Sequence, residues 1–416
     1  MRIALIADTY PPLRTSGAVQ LRDLSREFVR QGHTLTVMIP AAELDRPWLL
    51  EEMGGVQVLR LRAPKTKDIG YVRRTVNEFL MPFAMLRNLR KSPFAKERWA
   101  GVVWYAPTIF LGPMASELKK VGGCKGYLIV RDIFPEWAVD MGLMTRGLPY
   151  RFFDAVARYQ YSVANVIGVQ ASGNLAYFDD WSKGSGRRVE VLQNWLADIP
   201  VCGCSILFDE TPLAGRKIFV YAGNMGVAQG MDILLELADR LRSRDDVGFL
   251  FVGRGSEAKR LADNAKSRKL DNVFFHNEIH PDEIPGLLAQ CAVGLVALDK
   301  KHKSHNIPGK FITYMQAGLP VLANINSGND LAEIIRKEDV GYASETGTIE
   351  NLERLAIELI DRVDTSEIKH RCRNLYLKKY VPEVAVRQIA AGLFDAKLTS
   401  MTEGVVSSEY LNNAKM

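Results

Sequence analysis

Short, nearly continuous apolar runs recur along the chain, separated by stretches whose apolar residues fall three and four positions apart. IALIAD and TLTVMIP read as strands buried on both faces. Between them a helix is predicted from about Ala18 to Gln31, because Leu21, Leu24 and Phe28 share one face and Gly32 supplies a stop. The runs VQVLRL, GVVWY, GYLIV and NVIGVQ follow, each separated from the next by enough chain for a crossover helix. That spacing predicts a parallel sheet.

After a Pro-, Gly- and Cys-bearing stretch from about Leu196 to Arg216 the alternation restarts. IFVYAGN, VGFLFVG, NVFFH and AVGLVAL read as strands, with helices over 231–242 and 257–269. The pattern predicts an α/β protein of two Rossmann-like domains, 1–200 and 201–381, with a ligand in a cleft between them. A last periodic helix is predicted over 382–398, returning to the N-terminal domain, before a polar tail over 399–416.

Composition narrows the class. The 416 residues are 47% hydrophobic and 25% charged, enough apolar chain for a large core, so a disordered or fibrous protein is excluded. Five cysteines without C-x-x-C spacing, no apolar run long enough to span a bilayer and no leader-like opening predict a reducing, cytoplasmic setting. Residues 1–200 hold 27 Lys and Arg against 19 Asp and Glu, so the net charge of +6 conceals a basic first half. Much of the excess lies between Arg60 and Arg98.

Several positions carry candidate chemistry. Gly17, Gly223, Gly253 and Gly255 lie in turns between a strand and a helix, where a missing Cβ lets main-chain amides approach a phosphate. Lys310 opens a predicted helix after Pro308 and Gly309, and a cation there opposes the helix dipole unless an anion is bound. Asp132 follows the strand GYLIV, with Glu136 one turn on, and either could orient or deprotonate a hydroxyl; a helix N-cap is the structural alternative for Asp132. His302 and His305 have a ligand-like spacing, but Lys300, Lys301 and Lys303 would repel a dication, so no metal is expected.

Six segments in register, DTYPPLRTSGA, RDIFPEWAVDMGL, VLQNWLADIP, YAGNMGVAQGMDILLELA, VGRGSE and IPGKFITYMQAGLPVLA, resemble family 4 of the retaining, nucleotide-sugar-dependent glycosyltransferases of GT-B fold. The resemblance covers about residues 1–398 and is nearest the bacterial O-antigen and capsule branch that includes L-fucosamine transferases. It implies a UDP-sugar donor on the C-terminal domain, Gly17 closing over it, no cofactor beyond that donor, and a lipid-linked saccharide acceptor. The donor set carried over is Gly17, Gly223, Asn224, Gln229, Arg254, Ile279, His305, Asn306, Ile307, Lys310 and Thr313, with Asp132 near the donor sugar. Asn224 and Gln229 stand where the family has an Arg and a Lys on the diphosphate, and His305 and Thr313 where it has two glutamates. Lys310 and Arg254 are the cations left to offset that charge.

The segment Ile69 to Lys91 places Val72, Val76, Phe79, Leu80, Phe83 and Leu86 at helical spacing, flanked by arginines. It predicts an amphipathic helix that is either packed on the core or laid on an anionic membrane, which would make the protein peripheral on the inner face of the cytoplasmic membrane. Nucleic acid is not expected, since no aromatic platform accompanies the charges. The rival functions are a binding subunit that scaffolds another transferase and a nucleotide-sugar 2-epimerase.

Overall fold

A computed structural model describes residues 1–13, 15–201, 203–299 and 306–394. The chain forms two compact units, one of Met1–Gln170, Asn174–Gln193 and the described chain from Pro382, the other of Ala171–Gly173 and Asn194–Val381.

The N-terminal unit is built from β1 (Arg2–Ile6), α1 (Ser16–Arg30), β2 (Thr34–Ala41), β3 (Trp48–Met53), β4 (Val56–Arg62), α2 (Tyr71–Leu89), β5 (Gly101–Ala106), α3 (Gly112–Gly122), β6 (Lys125–Val130), α4 (Glu136–Asp140), α5 (Leu148–Val163), β7 (Val166–Val169), α6 (Asp179–Ser182) and β8 (Arg188–Val191). Its sheet runs β3-β4-β2-β1-β5-β6-β7-β8 and is parallel except for the edge strand β3. The apolar pattern does not announce β3: WLLEEM alternates between half-buried and exposed positions, as an edge strand does. β1, β5 and β6 are almost wholly buried, which explains their unbroken apolar runs.

The C-terminal unit contains β9 (Lys217–Ala222), α7 (Asp232–Arg240), β10 (Val247–Val252), α8 (Ala258–Ser267), β11 (Val273–His276), α9 (Ile284–Leu288), β12 (Val293–Ala297), α10 (Gly309–Gln316), β13 (Val321–Asn324), α11 (Asp330–Glu338), β14 (Gly341–Ser344), α12 (Ile349–Ile360) and α13 (Ser366–Lys379). Its six strands run β11-β10-β9-β12-β13-β14, all parallel. This is the doubly wound order, and it reverses between β9 and β12; in the N-terminal sheet the reversal falls between β1 and β5. Ligands of such sheets bind outside the strand ends at that point.

The units part near Gln193, ahead of the expected residue 200, because Leu196 donates to the Tyr380 carbonyl (2.9 Å) and accepts from the Tyr376 hydroxyl (2.8 Å). The last helix, α14 (Pro382–Phe394), belongs to the N-terminal unit. Gln388 donates to Glu190 (3.0 Å) and to the Val191 carbonyl (2.9 Å), and Glu383 pairs with Arg30 (3.3 Å). The polar tail lies outside the described residues.

Helix α2 corrects the sequence pattern. Its core face is Met81, Met85 and Leu89, spaced i, i+4, whereas Val72, Val76, Phe79, Leu80 and Phe83 of the expected stripe are exposed. Among the described residues no helix is long and apolar enough to cross a membrane.

Candidate functional site

In the C-terminal unit the turns after β9 and β10 lie together. Gly223 donates to the Val252 carbonyl (2.9 Å), Met225 to the Arg254 carbonyl (2.8 Å) and Glu257 to the Met225 carbonyl (2.9 Å). Gly253 has φ 143°, and a Cβ there would overlap the Gly223 carbonyl oxygen; Gly255, φ 153°, would likewise meet the Met225 carbonyl. Close backbone approach requires both glycines.

Lys310 reaches this turn from the first turn of α10. Its ammonium nitrogen lies 4.5 Å from the centre of the Tyr221 ring, and a Cβ on Gly223 would sit 3.9 Å from it. The side chain keeps some solvent contact, yet burial pushes its pKa down to about 8. Among the described residues it makes no ion pair. A half-buried cation over an aromatic ring, at the point where strand order reverses, is a ready anion site.

The other expected donor residues divide. Asn224 and Gln229 brace the turn: Gln229 accepts from the Gly226 amide (2.9 Å) and from the Asn224 side chain (3.3 Å). Arg254 is exposed and paired with Glu278 (3.1 Å), so its charge is already offset. Ile279 follows β11 in the loop capped by His280 and Glu283. Asn306 is partly buried and Ile307 buried just before α10. Thr313 donates to the Gly309 carbonyl within its helix (3.3 Å) and lines a separate cavity with Lys369, His370 and Arg373. His305, like His302, lies outside the described residues.

In the N-terminal unit the ends of β1, β5 and β6 bring polar groups together. The buried Arg131 guanidinium lies over the Tyr105 ring, 5.8 Å from its centre. Burial lowers the Arg131 pKa and raises that of Tyr105. Gly17, in the first turn of α1, leaves room for this tyrosine: its Cβ would lie 3.2 Å from the Tyr105 hydroxyl. Thr15 caps the helix, accepting from the Ala18 amide (3.2 Å).

Asp132 keeps an exposed edge, while the protein around it raises its pKa by desolvation and Arg131 pulls it back. It caps no helix, since α4 starts after Pro135 without a side-chain cap. Glu136 is engaged elsewhere, accepting from the Tyr150 hydroxyl (2.6 Å) and pairing with Arg146 (3.4 Å). Sequence reasoning passed over Asp8. It follows β1 at the reversal of strand order, its Oδ1 is buried without a hydrogen-bond partner, and burial raises its pKa against the pull of Lys67 and Arg74. Its signal in the sequence is the one used for Asp132, a carboxylate closing an apolar run.

Two Rossmann-like units in one chain are the architecture of the GT-B glycosyltransferases, and residues 216–362 match the family model described as glycosyl transferases group 1. The chain is a transferase of the glycosyltransferase class. It is 25% identical over 283 residues to WbjE of Pseudomonas aeruginosa, named as a glycosyltransferase, covering 66% of this chain and 69% of that one. It is 24% identical over 264 residues to WcaI of Escherichia coli (strain K12), named for colanic acid biosynthesis, covering 58% and 61%. Among solved structures, Anabaena Alr3699/HepE in complex with UDP superposes with a TM-score of 0.63 at 15% identity, over 94% of this chain and 98% of that one.

Proposed function

We propose that the enzyme transfers a sugar from a UDP-sugar to a lipid-linked saccharide during the synthesis of a bacterial surface polysaccharide. The observation that carries this reading is Lys310, a partly buried cation above Tyr221 beside the glycine turns of β9 and β10. A diphosphate there would be met by main-chain amides and one charge-assisted contact, in place of the Arg and Lys that Asn224 and Gln229 replace. Uridine is favoured over other bases by the likeness to HepE, solved with UDP. The polysaccharide setting follows the name of WcaI.

In this reading the C-terminal unit holds the donor and the N-terminal unit the acceptor. The sugar is an N-acetylated one, as in the fucosamine branch that the motifs resemble, and it leaves with retention and without a metal. The departing diphosphate oxygen takes up the acceptor proton on the same face of the sugar, and Asp132 orients the acceptor hydroxyl. Enrichment of basic residues in the N-terminal half suits an acceptor carried at the inner face of the cytoplasmic membrane.

A thermal-shift panel of UDP, GDP and ADP tests the donor assignment, because a ligand bound to the native state alone raises the melting temperature by mass action. UDP should give the largest shift. Equal or absent shifts would refute it, and turnover of UDP-sugars with a lipid-linked acceptor separates an enzyme from a scaffold.

A further inference from the structure

Asp8 sits where the fold has no use for a carboxylate. Just past β1, Ala7 donates to the Met38 carbonyl (3.1 Å), and Asp8 is the next residue, at the reversal of strand order. Its Oδ1 is buried without a hydrogen-bond partner, while the residue as a whole keeps an exposed edge. Desolvation disfavours its charged form, so the carboxylate opposes folding where a neutral side chain would not. Buried polar atoms left unsatisfied are uncommon, and one at the ligand end of a doubly wound sheet points to a bound group.

The neighbouring charges narrow what that group is. Lys67 and Arg74 act on Asp8, and Arg74 also donates to Glu78 (2.8 Å). Two cations therefore already offset two carboxylates, and a further cation has no charge to answer. Among the described residues no group of three His, Cys, Asp or Glu is placed to hold a metal. An anion would be repelled by Asp8 itself, which leaves a neutral hydrogen-bond donor such as a sugar hydroxyl. Hydroxyl groups gather at the same strand ends. Thr9 and Thr15 share a hydrogen bond (2.9 Å), and a Cβ on Gly17 would lie 3.3 Å from Thr9 and 3.2 Å from the Tyr105 hydroxyl. Tyr105 in turn experiences the charges of both Asp8 and Asp132.

We propose that Asp8 selects the acceptor by taking a hydrogen bond from a hydroxyl of its terminal sugar other than the one that reacts. Two carboxylates then grip two hydroxyls, and the grip of Asp8 fixes which of the others meets Asp132. A sugar lacking that hydroxyl, or carrying it in the opposite configuration, leaves a buried carboxylate unpaired, which discriminates by about 10² or more. The inference rests on the reading of the N-terminal unit as the acceptor side of a sugar transferase, and names a residue that sets acceptor choice and linkage.

The test uses the full chain with methyl glycosides of glucose, galactose, N-acetylglucosamine, N-acetylgalactosamine, rhamnose and fucose in place of the terminal sugar. Affinity is read by saturation-transfer NMR, with and without UDP. The wild type should bind at least one glycoside, and one of its deoxy derivatives should bind at least tenfold more weakly. Asp8→Ala should bind the parent tenfold more weakly and no longer tell it from that deoxy derivative, a coupling that a merely structural residue would not show. Asp8→Asn keeps the shape and one acceptor oxygen, so it should recover part of the affinity and melt at or above the wild-type temperature. Where Asp8→Ala does not fold, Asp8→Asn decides, because a neutral acceptor must narrow the gap between parent and deoxy glycoside.

An unchanged gap in the variants would show that another group reads the hydroxyl and would overturn the proposal, as would a wild type that binds none of the glycosides. Glycoside binding through Asp8 in a protein that UDP does not stabilise would count against the donor reading alone.

Discussion

Lys310 is the residue on which the donor site turns, and its charge is the testable part. Replacing it with Ala removes a charge-assisted contact worth roughly 1.5 to 3 kcal/mol, so UDP should bind ten- to a hundredfold more weakly while uridine binding barely changes. Titration calorimetry with both ligands reads that difference. Burial holds the folded-state pKa at about 8, below the ordinary lysine value of 10.5. The unfolded chain therefore binds more protons between those values, and this group's contribution to stability rises with pH across that window. Ligand affinity should move the other way. UDP binding should weaken as pH rises through about 8 and the ammonium is lost, and Lys310→Ala should lack that dependence. Asp132→Asn keeps shape and removes the charge that would hold the acceptor hydroxyl in line, so transfer should fall by about 10² with UDP affinity and melting temperature unchanged. Retained turnover in that variant would remove Asp132 from the reaction.

Among the elements, the paired turns after β9 and β10 are the most constrained. Gly253→Ala places a methyl group where the Gly223 carbonyl oxygen lies and demands a φ that L side chains rarely adopt. A loss of roughly 2 to 4 kcal/mol is expected, read as a lower denaturation midpoint together with weaker UDP binding. Gly309→Ala has open space around it and serves as the tolerated control. These turns were legible in the sequence because a glycine closing an apolar run marks a strand end. The exposed face of α2 was not. Periodicity shows that a helix has an apolar stripe, and whether neighbours cover that stripe depends on α3 and α5, whose placement no local pattern encodes. The edge strand β3 was missed for a related reason, since a half-covered strand has no continuous apolar run.

At the scale of the whole molecule, α14 completes a unit that begins some 380 residues earlier. Ala385, Val386, Ile389 and Leu393 are buried, and a Cβ on Gly101 of β5 would lie 2.9 Å from Leu393. Deleting residues 382–416 should strip this cover, and amide exchange measured by mass spectrometry should accelerate in β1, β5 and β6. Exchange in β9, β10 and β12 should keep its rate. Uniform acceleration through both units would show instead that they unfold together.

Local order along the chain determined the alternation of buried strands and helices, the glycine turns, the lysine opening α10 and the basic first half, because each is a matter of period or neighbour spacing. Tertiary structure decided the rest. It set Asp8 at the strand-order reversal whose other side ends in Tyr105, laid Arg131 over that ring, and spent the charge of Arg254 on Glu278 and the carboxylate of Glu136 on Tyr150 and Arg146. The physical reason is distance along the chain. A side chain's burial and its partners are fixed by segments tens of residues away, so a candidate acid, base or cation can be recognised by type in sequence, while its availability is settled only when those segments pack.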